Sequence, residues 1–307
     1  MALVDLAEMQ NKCRAGQWSL ADIDWNAPGR ERVSAEQRER MRSFMGDLVW
    51  IESFGQYAFE AMAATTDDPA LRAIYESFAI DELRHADAEQ RLMARWGMIE
   101  PGRRPEPNPS ARVAVEFLQR HGREIPFAVY AAILPMFEIA LDGALLQFVT
   151  ATVDDPVAHR VFEKVNRDEA RHLAVDFHTL ALLGRESGLG ALWTLAAALT
   201  RPSTLRMLAL GYIPLLERAW TELRRMGVPA TDLTACIRKF HNFGVRNPDV
   251  ARHAIYRLIA SHASAFSNPD NAYHWVAAAL VWLTDVLAAV DSWTPAWAPV
   301  RVLPAAA

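Results

Sequence analysis

The chain contains an internal repeat that limits its possible folds more than any other feature of the sequence. Residues 67–85 read DDPALRAIYESFAIDELRH, and residues 154–172 read DDPVAHRVFEKVNRDEARH. The two segments share eight identical positions at a constant offset. Both contain Asp-Pro, whose aspartate can cap a helix and whose proline suits the first helical position. The repeat therefore predicts two equivalent helices that begin at Pro69 and Pro156.

The rest of the chain is also predicted to be helical. No segment of useful length alternates apolar and polar residues as a half-exposed strand does, whereas apolar residues recur at helical spacing along residues 34–65. The proline-rich segment 101–109 must be a connection, and Pro135 is expected to bend its helix. We expect four long helices, over about 34–65, 69–96, 126–153 and 156–183.

Several shorter apolar helices are expected after residue 184, where prolines and glycines break the sequence repeatedly. We therefore predict an all-α fold in one domain, residues 1–307. Its core would be a bundle over about 35–184, with additional C-terminal helices over about 185–300. We expect those accessory helices, which are rich in Leu, Ala and Trp, to buttress the bundle, to form a dimer interface or to wall an apolar pocket.

Each copy of the repeat contains the motif Glu-x-x-His. Glu82 is followed by His85, and Glu169 is followed by His172. Residues three apart on a helix lie on one face about a turn apart, so each carboxylate and its imidazole point the same way. A single motif of this kind is common on solvated helices, but two copies at matched positions indicate metal binding.

The helix before each copy supplies one more glutamate in apolar surroundings. Glu52 lies 30 residues before Glu82, and Glu138 lies 31 residues before Glu169. Antiparallel helices joined by the short turns at the repeat starts would bring each pair level, about 20 Å from its turn. Four helices would thus deliver four glutamates and two histidines to one level of the bundle core.

This donor set is that of a carboxylate-bridged dinuclear iron or manganese site. Carboxylates can bridge two metals and offset their charge, while each neutral imidazole holds one metal without adding charge. Without a metal, four buried carboxylates would be costly unless they were protonated. We therefore predict two bound Fe ions, with Mn/Fe as an alternative.

The motifs DELRH and DEARH, with the two upstream glutamates, resemble the ferritin-like di-iron carboxylate superfamily over about residues 40–180. The similarity is to its oxygen-activating branch: monooxygenase hydroxylases, acyl-carrier-protein desaturases, ribonucleotide reductase small subunits and arylamine N-oxygenases. It implies a ferritin-like four-helix bundle and O₂ as co-substrate. The metal ligands that the resemblance implies are Glu52, Glu82, His85, Glu138, Glu169 and His172.

The resemblance also implies a layer of residues behind the ligands. Asp81 and Asp168 would each accept a hydrogen bond from the histidine of the opposite repeat, which fixes the imidazole tautomer. Arg84 and Arg171 would pair with those two aspartates, although ordinary salt bridges on the helix surface are the alternative.

At three positions the sequence departs from the patterns of particular families within this branch. Glu89 stands where ribonucleotide reductase small subunits usually have a radical tyrosine, and Val165 stands where the arylamine N-oxygenases have an extra histidine. Asp142 stands where monooxygenase hydroxylases often have threonine. We take Asp142 as a candidate catalytic residue that delivers protons or adds a ligand, with a solvent-facing role equally open.

Composition excludes several other classes of function. The net charge of −5 argues against nucleic-acid binding, and no run of about 18 apolar residues predicts a membrane span. Asp5 and Glu8 stand where a signal peptide needs positive charge, and the two cysteines form no disulfide framework, so we expect a cytoplasmic protein.

The sequence contains neither a GxGxxG motif for a dinucleotide nor a cluster of cysteines for an iron–sulfur centre. Electrons would come from a separate reductase or ferredoxin, or from the substrate, and a homodimer is the expectation for this class.

The function expected from these features is that of a non-haem di-iron oxygenase or oxidase. It would hydroxylate, N-oxygenate or desaturate a small, apolar or aromatic organic substrate. One alternative is a ferroxidase or peroxide-scavenging protein, although simple ferritin-type chains lack about 120 residues of further helix. Another is a non-catalytic helical subunit with a structural metal such as Zn²⁺.

Overall fold

A computed structural model describes residues 4–185 and 188–290, without the side chains of 140–147, 150, 188, 189, 191, 230 and 233. Within those ranges all regular structure is helical, which confirms the all-α prediction. The helices, in chain order, are α1 (Leu6–Ala15), α2 (Ala35–Thr65), α3 (Pro69–Arg95), α4 (Pro109–His121), α5 (Phe127–Thr152), α6 (Pro156–Leu183), α7 (Gly188–Leu199), α8 (Pro202–Arg206), α9 (Ile213–Met226), α10 (Ala230–Arg246), α11 (Pro248–Arg252), α12 (Ala254–Ser267) and α13 (Tyr273–Ala288).

The two helices of the repeat begin as the sequence predicts. Asp68 Oδ1 accepts hydrogen bonds from the backbone N–H groups of Ala70 and Leu71, and Pro69 is the first residue of α3. Asp155 Oδ1 accepts a hydrogen bond from the backbone N–H of Val157, at the start of α6. The side-chain acceptors satisfy N–H groups that have no partner within the helix.

Four long helices surround the interior of the molecule. α2 packs along α3, α3 contacts α6, α6 packs along α5, and α5 contacts α2, so the four form a closed ring of neighbours. Their shared interior contains large, fully buried side chains, including Phe59, Tyr75 and Phe78. The paired helices of each half of the repeat are joined by the short turns at residues 66–68 and 153–155.

The C-terminal helices cover two sides of this ring. α10 and α12 pack on α5, whereas α9 and α13 pack with α4 beside α2. Trp220 is buried in this layer, but Trp193, Trp275 and Trp282 are exposed. Those three side chains therefore pack neither into the core nor into a wall of an internal cavity.

Two helices lie in segments for which no helix was predicted. α1 has only ten residues, and α4 follows the proline-rich connection directly, with Asn108 as its cap and Pro109 as its first residue. Among the described residues, no helix combines the length and apolar character needed to cross a lipid bilayer.

Candidate metal centre

The ring of four helices brings the six predicted ligands together at one buried level. α2 carries Glu52, α3 carries Glu82 and His85, α5 carries Glu138, and α6 carries Glu169 and His172. All six side chains are buried, and the two imidazoles have no exposed surface. The ligand atoms form two overlapping groups, Glu52, Glu82, His85 and Glu169 on one side and Glu138, Glu169 and His172 on the other, each with its atoms within 4.8 Å of one another.

Glu169 belongs to both groups and offers a different oxygen to each. Its Oε1 lies 3.0 Å from His85 Nδ1, and its Oε2 lies 3.1 Å from His172 Nδ1. Glu82 also reaches across, because its Oε1 lies 3.3 Å from His172 Nδ1. The two glutamates of the repeat thus stand between the groups, whereas Glu52 and Glu138 lie at opposite ends, 3.5 Å and 3.8 Å from the nearer imidazole nitrogen.

Several atoms of these groups lack the hydrogen bonds that buried polar atoms normally make. His85 Nδ1 and both carboxylate oxygens of Glu138 are buried without a hydrogen-bond partner among the described residues. A cation at each group would satisfy them at once. Carboxylate oxygens mixed with imidazole nitrogens suit iron or manganese, so the residues present fit a dinuclear metal site.

Protons are the alternative means of balancing the charge of this cluster. Burial raises the pKa values of Glu82 and Glu138 well above the ordinary range. Burial acts against protonation of His85, but the nearby carboxylates of Asp168, Glu169 and Glu52 outweigh it and raise the pKa of that imidazole. In the absence of metal the cluster therefore retains protons, which a metal must displace.

Behind the ligands, the two repeats exchange contacts in a crossed pattern. His85 Nε2 lies 3.0 Å from Asp168 Oδ2, and His172 Nε2 lies 3.5 Å from Asp81 Oδ2. Arg84 Nη1 donates to Asp81 Oδ1 at 2.8 Å, and Arg171 pairs with Asp168. Both arginines are largely buried, so these pairs are not ordinary surface salt bridges.

Two residues of this layer were not predicted, and both follow α1. Gln17 Nε2 donates to Asp81 Oδ1 at 2.9 Å, and Trp18 Nε1 donates to Asp168 Oδ2 at 2.7 Å. Gln17 also accepts a hydrogen bond from Arg84. Nothing in the sequence around residues 17–18 resembles a motif, so only the fold reveals that this segment supports both aspartates.

A further carboxylate lies near the centre on α6. Asp176 is fully buried, and neither of its oxygens has a hydrogen-bond partner among the described residues. Burial, together with the charge of Glu169, raises the pKa of Asp176 to about 8 although His172 acts in the opposite direction. The candidate catalytic residue Asp142 lies in the part of α5 whose side chains are outside the described structure.

An apolar cavity adjoins the carboxylates between α2 and α5. Phe54, Phe59, Leu134 and Phe137 line it together with the ligands Glu52, Glu82, Glu138 and Glu169. Gly55 permits this arrangement, because a Cβ at that position would lie only 2.9 Å from Cδ of Glu82.

The donor set determines what this centre can do. Two cations held on either side of shared carboxylates could exchange electrons with a small molecule in the adjoining cavity. No protein-family model, curated protein or solved structure matches this chain. Its function must therefore be inferred from the geometry of the metal centre and its surroundings.

Proposed function

We propose that the chain is a non-haem di-iron oxidoreductase of the ferritin-like type, which uses O₂ to oxidise a small, largely apolar organic molecule. The observation that carries the proposal is the position of Glu169, which presents one oxygen to each of two histidine-containing groups. A single structural metal would need only one such group. Two groups with shared carboxylates are the arrangement expected for a pair of redox-active ions.

The proposed ligands divide between the two metals. Glu52 and His85 would hold one ion, Glu138 and His172 would hold the other, and Glu82 and Glu169 would lie between them. When bound, the two irons supply the electrons for the reduction of O₂. Four carboxylates offset four positive charges, so the reduced centre is close to neutral in its buried surroundings.

A residue behind the ligands would hold the imidazole of His85 in the required tautomer. Asp168 would accept a hydrogen bond from the Nε2–H group of His85, which leaves Nδ1 free as a metal donor. Arg171 and Trp18 hold that aspartate in turn. Arg84 and Gln17 hold Asp81 in a corresponding position, but its Oδ2 lies 3.5 Å from His172 Nε2 and the two atoms form no hydrogen bond.

The cavity between α2 and α5 has a volume of about 40 Å³, which gives room for O₂ beside the carboxylates although not for an organic molecule. Its apolar side chains exclude water beside the carboxylates, which protects a strong oxidant from side reactions. A ferroxidase would instead need a polar path for hydrated iron, and a structural site needs no cavity at all. Electrons for repeated turnover would come from a separate reductase or ferredoxin, or from the substrate.

The proposal is tested by metal content and reaction with O₂. Protein produced in iron-rich medium is analysed for metals, reduced without oxygen and then mixed with O₂ while the visible spectrum is recorded. We expect two irons per chain and a transient absorption band. The variant Glu169→Ala should bind at most one iron and show no band, because it loses the carboxylate shared by both groups.

The control is Glu163→Ala, which alters an exposed glutamate on the same helix. It should retain both irons and the band. Zinc as the bound metal, no metal, or a Glu169→Ala variant that retains two irons and the band would overturn the proposal.

A further inference from the structure

A second cleft reaches the metal centre from the protein surface. It lies between α6 and α10, and Glu138 and Glu169 contribute to its lining, as they do to that of the apolar cavity. One face of α10 forms a wall of the cleft, because its lining residues recur at helical spacing: Lys239, Asn242, Phe243 and Arg246.

The outer part of this wall carries positive charge. Lys239 and Arg246 are both exposed, and neither forms an ion pair with any side chain that the structure describes. They stand seven residues apart on one helix, a rise of about 10 Å. Asn242 lies between them and adds an amide donor at the same rim.

The inner part of the cleft is apolar. The rings of Phe177 and Phe243 stack directly on each other, with centroids 4.3 Å apart and an angle of 24° between their planes, and form one apolar part of its lining. Leu173 lies one turn nearer to Glu169 on α6 and is half-buried. From rim to metal centre, the lining therefore changes from cationic to apolar and then to buried carboxylates.

We propose that this cleft binds an amphipathic organic acid. Lys239 and Arg246 bind its anionic group, Leu173, Phe177 and Phe243 contact its apolar body, and its far end points towards Glu138 and Glu169. The orientation follows from the lining, because an anion is attracted to the two rim cations, which form no ion pair with any described side chain, whereas an apolar body is favoured against the apolar inner part. That this acid is the substrate rests on the proposed function, but its binding does not.

Three probes with the same apolar body test the proposal: 4-phenylbutanoate, 4-phenylbutan-1-ol and 4-phenylbutylamine. Their affinities are measured by calorimetric titration of the full chain, both with iron and after treatment with a chelator. We expect the acid to bind about tenfold more tightly than the alcohol, and the amine most weakly, because charge-assisted hydrogen bonds are stronger than neutral ones. The order should be the same without metal.

Variants of α10 identify the residues responsible. Lys239→Ala and Arg246→Ala should each weaken binding of the acid about fivefold, which corresponds to one partly exposed ion pair. The double variant Lys239→Glu/Arg246→Glu should bind the amine more tightly than the acid. Arg238→Ala is the matched control for the two single variants, since it also removes one positive charge, at an exposed position that does not line the cleft.

A variant that fills the cleft tests the position of the apolar body. Leu173→Trp should weaken all three probes, whereas the alcohol should be unaffected by the two charge reversals. Equal affinity for the acid and the alcohol, an unchanged preference in the double variant, or undiminished binding to Leu173→Trp would overturn the proposal.

Iron content and the reaction with O₂ are measured on the same variants. Lys239→Glu/Arg246→Glu holds no metal ligand, so it should retain two irons if the proposed function is correct. Failure of the cleft proposal would leave that result intact. Failure of the di-iron proposal would appear as missing iron while the preference for the acid persists.

Discussion

Gly55 allows α2 to lie close to the carboxylate of Glu82. Substitution by alanine would place a methyl group 2.9 Å from Cδ of that carboxylate, and buried α2 and α3 have little freedom to separate. We expect Gly55→Ala to displace Glu82 and to reduce iron content from two per chain to one or fewer. Elemental analysis and the spectrum after mixing with O₂ provide the measurement.

Gly46 on the same helix is the matched control for Gly55. A Cβ at Gly46 would lie 3.6 Å from Cβ of Pro105, an ordinary van der Waals contact. Gly46→Ala should retain both irons and stabilise the helix by about 0.5–1 kcal/mol. Full iron loading of Gly55→Ala would show that Glu82 does not need this space.

Individual residues differ in how far the sequence reveals them. The six proposed ligands are predictable because two copies of Glu-x-x-His fix the register of two helices, and each earlier glutamate stands alone among apolar residues. Gln17 and Trp18 are not predictable, since they reach the aspartates by a loop after α1 whose path no periodicity describes. Gly55 lies in a regular helix, and only the position of Glu82 explains its small size.

At the scale of helices, the two copies of the repeat begin alike but differ in what their capping aspartates contact. Asp155 is fully buried, and its carboxylate accepts hydrogen bonds from Arg95 at 2.8 Å and 3.1 Å and from Trp96 at 2.9 Å. Arg95 also donates to the backbone oxygens of Trp25 and Ala27. One carboxylate thus ties the start of α6 to the end of α3 and, through Arg95, to the N-terminal segment.

We expect Asp155→Asn to lower the free energy of unfolding by about 3 kcal/mol, because it leaves a buried arginine without its counter-charge. Asp68→Asn alters the equivalent, exposed residue of the other copy, where asparagine caps a helix as well as aspartate does, so it should change stability little. Denaturant unfolding at pH 7 compares the two. Equal effects would show that the Arg95 pair contributes nothing.

The contribution of the Asp155–Arg95 ion pair to the free energy of unfolding depends on pH in a direction that can be stated. Burial raises the pKa of Asp155, but hydrogen bonds from Arg95 and Trp96 outweigh it and hold the pKa below the usual value of 3.8. The stabilisation is therefore fully present above that value and is lost as the pH falls through the lower, folded-state pKa. The stability difference between wild type and Asp155→Asn should persist at pH 6 and shrink below pH 4.

The helices themselves were largely predictable from the sequence, because strong local signals mark their ends. Asp-Pro starts α3 and α6, and the predicted ends of the four long helices agree with the structure to within one residue. α4 was not predicted, because the prolines of residues 101–109 suggest an irregular segment. The last of them, Pro109, is in fact the first residue of α4.

At the scale of the whole molecule, the residues that we propose to bind an organic acid could not be predicted from the sequence. The cleft joins α6 to α10, which lie on either side of several intervening helices in the sequence, and Lys239 and Arg246 belong to no motif. Whether Lys239 and Arg246 line the cleft depends on which face of α10 packs against the bundle. A repeat within one half of the chain fixes the positions of the proposed metal ligands, whereas the cleft beside them also depends on long-range packing of the other half.

Metal binding should stabilise the whole molecule, since its ligands come from all four long helices. Without metal, the cluster depends on protons: the pKa of His85 is raised above 6.5, and that of Glu82 is raised well above 4.5. Folded-state pKa values above the unfolded values give stability that is present at low pH and lost as the pH rises. The metal-free protein should therefore become less stable from pH 6 to pH 8, where fewer protons compete with the metal.

The difference in unfolding temperature between protein with excess Mn²⁺ and protein with chelator should accordingly increase from pH 6 to pH 8. Thermal unfolding followed by circular dichroism measures it. His85→Ala should reduce the difference at every pH, because one group then retains only carboxylates, whereas Glu163→Ala should leave it unchanged. A difference that is independent of pH would mean that protons do not occupy the metal-free cluster, and its charge would then have to be balanced by Arg84 and Arg171 alone.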